Sequence, residues 1–182
     1  MKINIKENTL ELMLGDITKQ ATEAIVNAAN GTLLGGGGVD GAIHKAAGPE
    51  LLVECKRIRK GLLKGELLST GKAVMTGGYS LPAKFVIHTV GPVWQGGAND
   101  EERLLSDCYR NSLQLSLDNN INSISFPSIS TGVYRFPVKP ASEIALRSIL
   151  EFLDQNHLGK VIMMLYSERD FDVYQSSLKK LL

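Results

Sequence analysis

Four consecutive glycines at positions 35–38 constrain the fold of this chain more than any other feature of its sequence. They separate an apolar segment with strand character, residues 24–28, from a segment with helical character, residues 39–47. Because glycine has no Cβ atom, it permits positive φ angles and lets another group approach the backbone closely. The helix after the run directs its free N–H groups and the positive end of its dipole toward the glycines. We therefore predict an anion-binding loop here; a flexible turn is the alternative.

Strand-like and helix-like segments alternate along the chain, which is typical of an α/β protein. Predicted strands lie at residues 3–7, 10–14, 24–28, 72–76, 85–89, 123–126 and 161–166. Predicted helices lie at residues 39–47, 51–60, 101–117 and 138–155, followed by a last helix that contains Phe171, Tyr174, Leu178 and Leu181. Asn8 and Thr9 are the predicted turn of a hairpin between the first two strands. We expect one domain over residues 1–182, a three-layer α/β/α sandwich with a central mixed sheet.

A second loop, residues 127–137, lies between a predicted strand and a long predicted helix. Ligands bind outside the carboxyl ends of the strands in sheets of this kind, which makes this loop a candidate. Ser130, Thr131 and Gly132 precede the helix and favour a nest of backbone amides that holds an anion. An ordinary connection is the alternative, but a loop of this length is more often functional.

Charge and hydrophobicity exclude some partners. The formal net charge is +1, whereas nucleic-acid binding usually needs a strongly basic face; we predict no nucleic-acid partner. No apolar run approaches the ~20 residues of a membrane span, and the first residues lack the apolar core of a signal peptide. We expect a cytoplasmic protein that does not contact membranes, with Cys55 and Cys108 as reduced core thiols.

Several chemistries are disfavoured by spacing. Gly36, Gly38 and Gly41 satisfy the dinucleotide-binding pattern, but about six residues separate it from its strand, and the pattern should follow directly. No Gly-x-Ser-x-Gly elbow for a nucleophilic serine occurs. The three histidines are far apart in the sequence, no cluster has metal-ligand spacing, and we predict no metal and no cofactor. His88 lies in an apolar strand and is expected to be a hydrogen-bonded core residue.

Three stretches together resemble the macrodomain family, and more narrowly its MacroD-type hydrolase branch. They are Asn27-Ala28-Ala29-Asn30, the glycine run, and Gly38-Val39-Asp40-Gly41-Ala42-Ile43-His44 with Ala46-Ala47-Gly48. The resemblance extends over essentially the whole chain, from Gly15-Asp16-Ile17-Thr18 to the final helix. It implies the macrodomain α/β fold and ADP-ribose as the ligand.

The resemblance implies a catalytic role for Asn30 and Asp40. Asn30 would hydrogen-bond the distal ribose, and Asp40 would position or polarise the attacking water. An aspartate with a pKa of about 3.9 is a weak base at neutral pH, so the resemblance implies water attack assisted by both Asp40 and the α-phosphate of the ligand. Asp40 as a helix N-cap is the structural alternative. Asn27 and His44 are expected to support the catalytic pair without direct contact, His44 from the same helix face as Asp40.

The resemblance also assigns the ligand-binding residues. The amides expected around the distal ribose and the diphosphate are those of Gly36, Gly37, Gly38, Val39, Ser130, Thr131, Gly132, Val133 and Tyr134. Asp16 and Ile17 are the implied ligand-binding residues at the adenosine end: Asp16 would accept a hydrogen bond from the adenine amino group, and Phe171 would stack on the ring. The alternatives are a helix N-cap at Asp16 for residues 18–22 and core packing for Phe171.

The implied activity is removal of mono-ADP-ribose from acidic side chains of proteins and deacetylation of O-acetyl-ADP-ribose. The implied partners are ADP-ribose, its esters and mono-ADP-ribosylated proteins. A second hypothesis is a reader module that binds ADP-ribose without turnover; Asn30 together with Asp40 favours the hydrolase. A third, a regulator that binds RNA or nucleotides, is disfavoured by the small net charge.

Overall fold

The computed structural model describes residues 1–182 and contains seven strands and five α-helices. The strands are β1 (Lys2–Ile5), β2 (Asn8–Leu14), β3 (Ala24–Ala29), β4 (Ala73–Gly77), β5 (Phe85–Val90), β6 (Ser123–Phe126) and β7 (Lys160–Leu165). The helices are α1 (Gly38–Ala47), α2 (Pro49–Lys60), α3 (Glu101–Asp118), α4 (Val138–Gln155) and α5 (Glu168–Leu181), with a 3₁₀ turn at Ile17–Lys19. Every predicted strand and helix is present, and no predicted boundary is shifted by more than two residues.

The strands form one mixed sheet in the order β1-β2-β7-β6-β3-β5-β4. The five central strands run parallel to one another, whereas β1 and β4 are antiparallel to their neighbours. The carboxyl ends of β2, β7, β6, β3 and β5 therefore meet at one edge of the sheet. The loops that follow these strands form the surface where a sheet of this class binds ligands.

Helices cover both faces of the sheet. Helices α1 and α2 pack on one face, and α3, α4 and α5 pack on the other. Because successive strand residues point to opposite faces, Ile25 lies in the core beneath α1 and α2, and Val26 lies in the core beneath the other three helices. Burial of one such side chain stabilises the fold by about 1.5–3 kcal/mol. The predicted three-layer architecture is confirmed.

The predicted hairpin turn at Asn8 and Thr9 is wrong. The turn consists of the two residues before them, and Lys6 takes a left-handed conformation there with φ 54°. Asn8 opens β2 instead, and its amide nitrogen donates to the carbonyls of Leu153 and Asn156, at 2.8 Å each. These long-range hydrogen bonds hold an asparagine in the strand, against its local preference for turns.

The two cysteines are free and buried, as predicted. Burial raises the pKa of Cys55 to about 12 and that of Cys108 to about 11. Since the thiolate is the reactive form of cysteine, neither side chain is suited to nucleophilic chemistry. None of the helices is both long enough and apolar enough to cross a membrane.

Candidate active site

The predicted site residues meet at the carboxyl edge of the sheet. The loop that contains glycines 35–38, called the glycine loop, follows β3, and the second loop, residues 127–137, follows β6. These two strands are hydrogen-bonded neighbours. The segment around Asp16 follows β2, and Gly15 N donates to Leu165 O at the end of β7, at 2.8 Å. The topology thus brings together loops that lie more than a hundred residues apart in the sequence.

The glycine loop presents unpaired backbone amides. Helix α1 begins at Gly38, and its N-cap, Gly37, has no side chain to cap it. The N–H groups of residues 36–39 donate no hydrogen bond within the protein. Gly38 has φ 58°, a conformation that favours glycine. Free amides at the positive end of a helix dipole form a site for an anion, which agrees with the predicted loop.

The second loop presents another set of free amides. The N–H groups of residues 131–134 donate no hydrogen bond within the protein. Ser130 has a left-handed backbone with φ 66°, and its buried hydroxyl has no hydrogen-bond partner. Val133 is 85% exposed, and Tyr134 O accepts from Trp94 N at 2.8 Å. A strained residue with an unpaired buried hydroxyl is typical of a ligand-binding loop.

Asp40 is a buried carboxylate behind the glycine loop. The N-cap alternative is wrong, because Gly37 caps α1 and Asp40 lies in its first turn, only 5% exposed. Its Oδ1 accepts from Asn27 Nδ2 at 2.8 Å and lies 3.5 Å from His44 Nε2. Burial raises the pKa of Asp40, opposed by the Asn27 hydrogen bond and the nearby His44.

The free oxygen of Asp40 and the amide nitrogen of Asn30 lie beside the same glycine, Gly36. A Cβ atom on Gly36 would lie 3.4 Å from Asp40 Oδ2 and 3.4 Å from Asn30 Nδ2. The space between the carboxylate and the amide is open because residue 36 has no side chain. The two predicted catalytic residues thus flank one small gap at the edge of the loop.

Asn30 also organises its own loop, a role that was missed in the sequence. Its Oδ1 accepts from the backbone N–H of Thr32 at 3.0 Å and from the Thr32 hydroxyl. Its Nδ2 donates one hydrogen to Gly35 O at 2.9 Å. Because an amide nitrogen carries two hydrogens, Asn30 retains one donor that no protein atom uses.

His88 is buried and hydrogen-bonded at both ring nitrogens, as predicted for a core residue. One of its partners is Asn27, which in turn holds Asp40. The ring of His44 lies 6.4 Å from that of His88, measured between centroids. This connection between His88 and Asp40 was not predicted, although a histidine inside an apolar strand was a sequence signal for it.

Asp16 caps the 3₁₀ turn after β2. Its Oδ1 accepts from the Thr18 hydroxyl at 2.7 Å and from Thr18 N at 2.9 Å, and these hydrogen bonds lower the pKa of Asp16. The capping alternative is therefore present, over Ile17–Lys19 rather than the predicted residues 18–22. Asp16 is exposed and uses only Oδ1, so its Oδ2 remains available to a ligand.

Two aromatic residues lie near the end of β7. Phe171 is half-buried and packs against the core beneath α3, α4 and α5, which favours its structural alternative. Tyr166 follows β7 directly and is 86% exposed. Gly15, the residue before Asp16, is hydrogen-bonded to Leu165, the residue before Tyr166, whereas Phe171 lies further along the chain in α5. The sequence signal was an aromatic residue at the carboxyl end of a strand.

No group of three or more His, Cys, Asp or Glu side chains is placed to hold a metal ion. A cavity of about 420 Å³ lies beside the glycine loop and is lined by Gly35, Gly36 and His44, among others. A groove of about 350 Å³ between α3 and α4 is lined by charged side chains and contains none of the predicted site residues. The candidate site is therefore the surface around the two loops.

Comparison with known proteins agrees with this geometry. The solved Oceanobacillus iheyensis macrodomain with ADP has a TM-score of 0.98 and 56% identity, and the match covers 100% of this chain and 95% of that chain. The O-acetyl-ADP-ribose deacetylase of Klebsiella pneumoniae (strain 342) is 52% identical over 91% of this chain and 93% of that protein. Human ADP-ribose glycohydrolase MACROD2 is 48% identical over 94% of this chain and 39% of that protein.

The family model described as Macro domain matches residues 26–145. This range includes Asn27, Asn30 and Asp40, together with both amide-rich loops. The match spans well over half of the chain, and the relatives extend it to almost the full length. The resemblance inferred from the sequence is confirmed: the chain belongs to the Macro domain family.

Proposed function

We propose that this protein binds ADP-ribose and hydrolyses esters of its distal ribose. The substrates are proteins that carry mono-ADP-ribose on glutamate or aspartate, and O-acetyl-ADP-ribose. Both contain an ester at the same sugar, so one site serves both. Relatives named for O-acetyl-ADP-ribose deacetylase and ADP-ribose glycohydrolase activity, each at about half identity, support the proposal.

The two loops supply the binding energy for the diphosphate. The free amides of residues 36–39 and 131–134 belong to loops at the same edge of the sheet. Backbone amides bind a diphosphate without a cationic side chain, because the dipole of α1 adds to their partial positive charge. At the adenosine end, the free oxygen of Asp16 accepts from the adenine amino group, and the exposed ring of Tyr166 offers a stacking surface.

The gap between Asp40 Oδ2 and Asn30 Nδ2 is the observation that carries the catalytic part of the proposal. It can admit a water molecule or a ribose hydroxyl group. Asp40 orients the attacking water and accepts its proton, while Asn30 uses its remaining N–H to hold the ribose. The raised pKa of Asp40 makes it a stronger base than an ordinary aspartate.

The reaction is a hydrolysis. The water oxygen bonds to the acyl carbon, or to the anomeric carbon where the ester lies there, and the ester C–O bond breaks. The products are ADP-ribose and a free carboxylic acid, either acetate or the protein side chain. The preorganised amides of the two loops hold the substrate while charge develops at the reacting centre.

The decisive experiment measures release of ADP-ribose from a protein with glutamate-linked mono-ADP-ribose, for wild type and for Asp40→Ala. Wild type should release it, and Asp40→Ala should lose about 100- to 10,000-fold in rate, the usual contribution of a positioned base. Both should bind ADP-ribose in calorimetry, because the amides hold the diphosphate. The D40A form of the Oceanobacillus protein has a solved structure with TM-score 0.97 to this chain, which supports a folded variant.

The alternative function is that of a reader. If wild type binds ADP-ribose but releases nothing from the modified protein and leaves O-acetyl-ADP-ribose intact, the hydrolase proposal is wrong. Turnover of the acetyl ester alone would narrow the substrate class to that compound. An Asp40→Ala variant as fast as wild type would remove Asp40 from the mechanism.

A further inference from the structure

A row of polar side chains crosses the apolar sheet face that packs against α1 and α2. It consists of Asn27 on β3, His88 on β5 and Thr76 on β4, all buried, with relative exposures of 0%, 0% and 2%. Asn27 and His88 are register partners in the parallel pair β3–β5. Their neighbours on this face, Ile25 and Val86, are fully buried hydrophobic residues. Polar groups in such a layer destabilise the fold unless they are hydrogen-bonded.

With Asp40 ionised, as the proposed mechanism requires, the hydrogen bonds of the row have one consistent direction. Asn27 Nδ2 lies 2.8 Å from Asp40 Oδ1 and 3.1 Å from His88 Nδ1, and an amide nitrogen can only donate. His88 Nδ1 must therefore be an acceptor without a proton. His88 Nε2 then carries the proton and donates to Thr76 Oγ1 at 2.9 Å. The Thr76 hydroxyl donates onward to Gly77 O at 3.1 Å.

We propose that His88 is a positioning residue for Asp40: as the Nε2–H tautomer held by Thr76, it fixes the amide of Asn27, which holds Asp40 Oδ1. The inference rests on the proposed ester hydrolysis, in which Asp40 is the catalytic carboxylate. His88 stays neutral in this role, since burial, with a smaller contribution from His44, lowers its pKa to about 3. A neutral ring has one donor and one acceptor, and this network uses both.

The wrong tautomer would disturb Asp40. With the proton on Nδ1, the His88 ring would face the Asn27 amide nitrogen donor to donor. Rotation of the amide would satisfy the ring, but it would place Asn27 Oδ1 against Asp40 Oδ1, two acceptors at hydrogen-bond distance. Asp40 would then move away from the gap beside Asn30. A displacement of about 1 Å in a reacting group can reduce the rate about 100-fold.

The test compares Thr76→Val with Thr76→Ser in the full-length protein. Valine has the shape of threonine but cannot accept from His88 Nε2, whereas serine keeps the hydroxyl. We expect Thr76→Val to lower kcat for ester hydrolysis at least about tenfold, with the Kd for ADP-ribose within about twofold, since the amide loops are untouched. Thr76→Ser should recover most of kcat. A purely structural role predicts instead that kcat and affinity follow the melting temperature in both variants.

A second measurement uses the wild-type protein alone. Nitrogen-15 NMR of the histidine side chains should show His88 with an unprotonated Nδ1 and a protonated Nε2, unchanged across the neutral pH range. A proton on Nδ1 would overturn the inference. So would an active wild type whose Thr76→Val variant keeps its kcat. A wild type that hydrolyses neither ester would instead overturn the proposed function, and with it any catalytic role of this row.

Discussion

Gly91 lies so close to Ser130 that a Cβ atom on Gly91 would overlap the Ser130 hydroxyl. The same Cβ would lie 2.6 Å from Ile129 Cγ2, well inside van der Waals contact. Gly91 directly follows β5, and Ser130 lies in the loop after β6. The missing side chain therefore allows the second loop to sit against the chain beyond β5, with Ser130 buried and in a left-handed conformation.

Gly91→Ala should weaken ADP-ribose binding. The added methyl group displaces Ser130, and overpacking of this kind costs about 1–3 kcal/mol. We expect a loss of affinity of about tenfold or more, measured by calorimetry, with a lower melting temperature. Gly77→Ala is the control, because a Cβ at that position would make ordinary contact at 3.5 Å with Tyr79. Unchanged affinity in Gly91→Ala would mean that Ser130 and its neighbours do not contact the ligand.

Gly37→Val should leave the fold intact and change the cleft. A Cβ atom on Gly37 would have no neighbouring heavy atom within 4 Å. The φ of this residue is −94°, which any residue adopts. We expect a change in stability within about 0.5 kcal/mol, while the valine side chain enters the space beside the distal ribose and alters the rate of ester hydrolysis. The Oceanobacillus G37V macrodomain has been solved with ADPR, so binding should persist.

Gly41→Ala is the contrasting variant in the same region. A Cβ on Gly41 would overlap the carbonyl group of Gly36, so the glycine loop must move. Thermal unfolding should show a clearly lower melting temperature for Gly41→Ala and little change in melting temperature for Gly37→Val. Equal stability of the two variants would contradict this placement of the loop.

Asp40→Asn should stabilise the protein at neutral pH while it removes activity. Burial raises the pKa of Asp40 above its ordinary value of 3.8, so the folded state binds this proton more tightly than the unfolded state does. Asp40 therefore destabilises the fold as the pH rises from 3.8 through its raised pKa. Asparagine lacks this ionisation, so the melting temperature of the variant should exceed that of wild type at neutral pH. The difference should shrink as the pH falls toward 3.8; a constant difference would contradict the raised pKa.

Tyr166→Ala and Phe171→Ala should affect different properties. Tyr166 is exposed, so its removal should change stability by no more than about 0.5 kcal/mol, but loss of base stacking should weaken ADP-ribose binding by about 1–3 kcal/mol. Phe171 packs against the core, so its removal should lower the melting temperature with a smaller effect on affinity. ADP-ribose affinity measured beside thermal unfolding separates the two. The reverse result would restore Phe171 as the stacking residue.

Local patterns in the sequence were sufficient to predict the fold class and the positions of the two amide-rich loops. Alternating strand and helix segments predicted the layers, because hydrophobic periodicity reflects which face of each element is buried. The glycine run and the hydroxyl-rich segment at 128–132 predicted anion loops, because their backbone chemistry depends on neighbours in the chain. Local patterns could not place Asn8. Its preference for turns is local, but its hydrogen bonds to the carbonyls of Leu153 and Asn156 hold it in a strand.

The sequence alone determined which residue types are available to the site: glycines, Asn30, Asp40 and a hydroxyl-rich loop. Only the tertiary structure decided how they act. Asp40 is a buried carboxylate in the first turn of α1, because Gly37 takes the cap position. Asn27 holds that carboxylate because β3 places it beneath α1, and His88 joins the pair because β5 is the neighbour of β3. Strand order and register bring these residues together over 61 positions of sequence. Burial then sets their charge states, since desolvation depends on everything packed around a group and not on its neighbours in the chain.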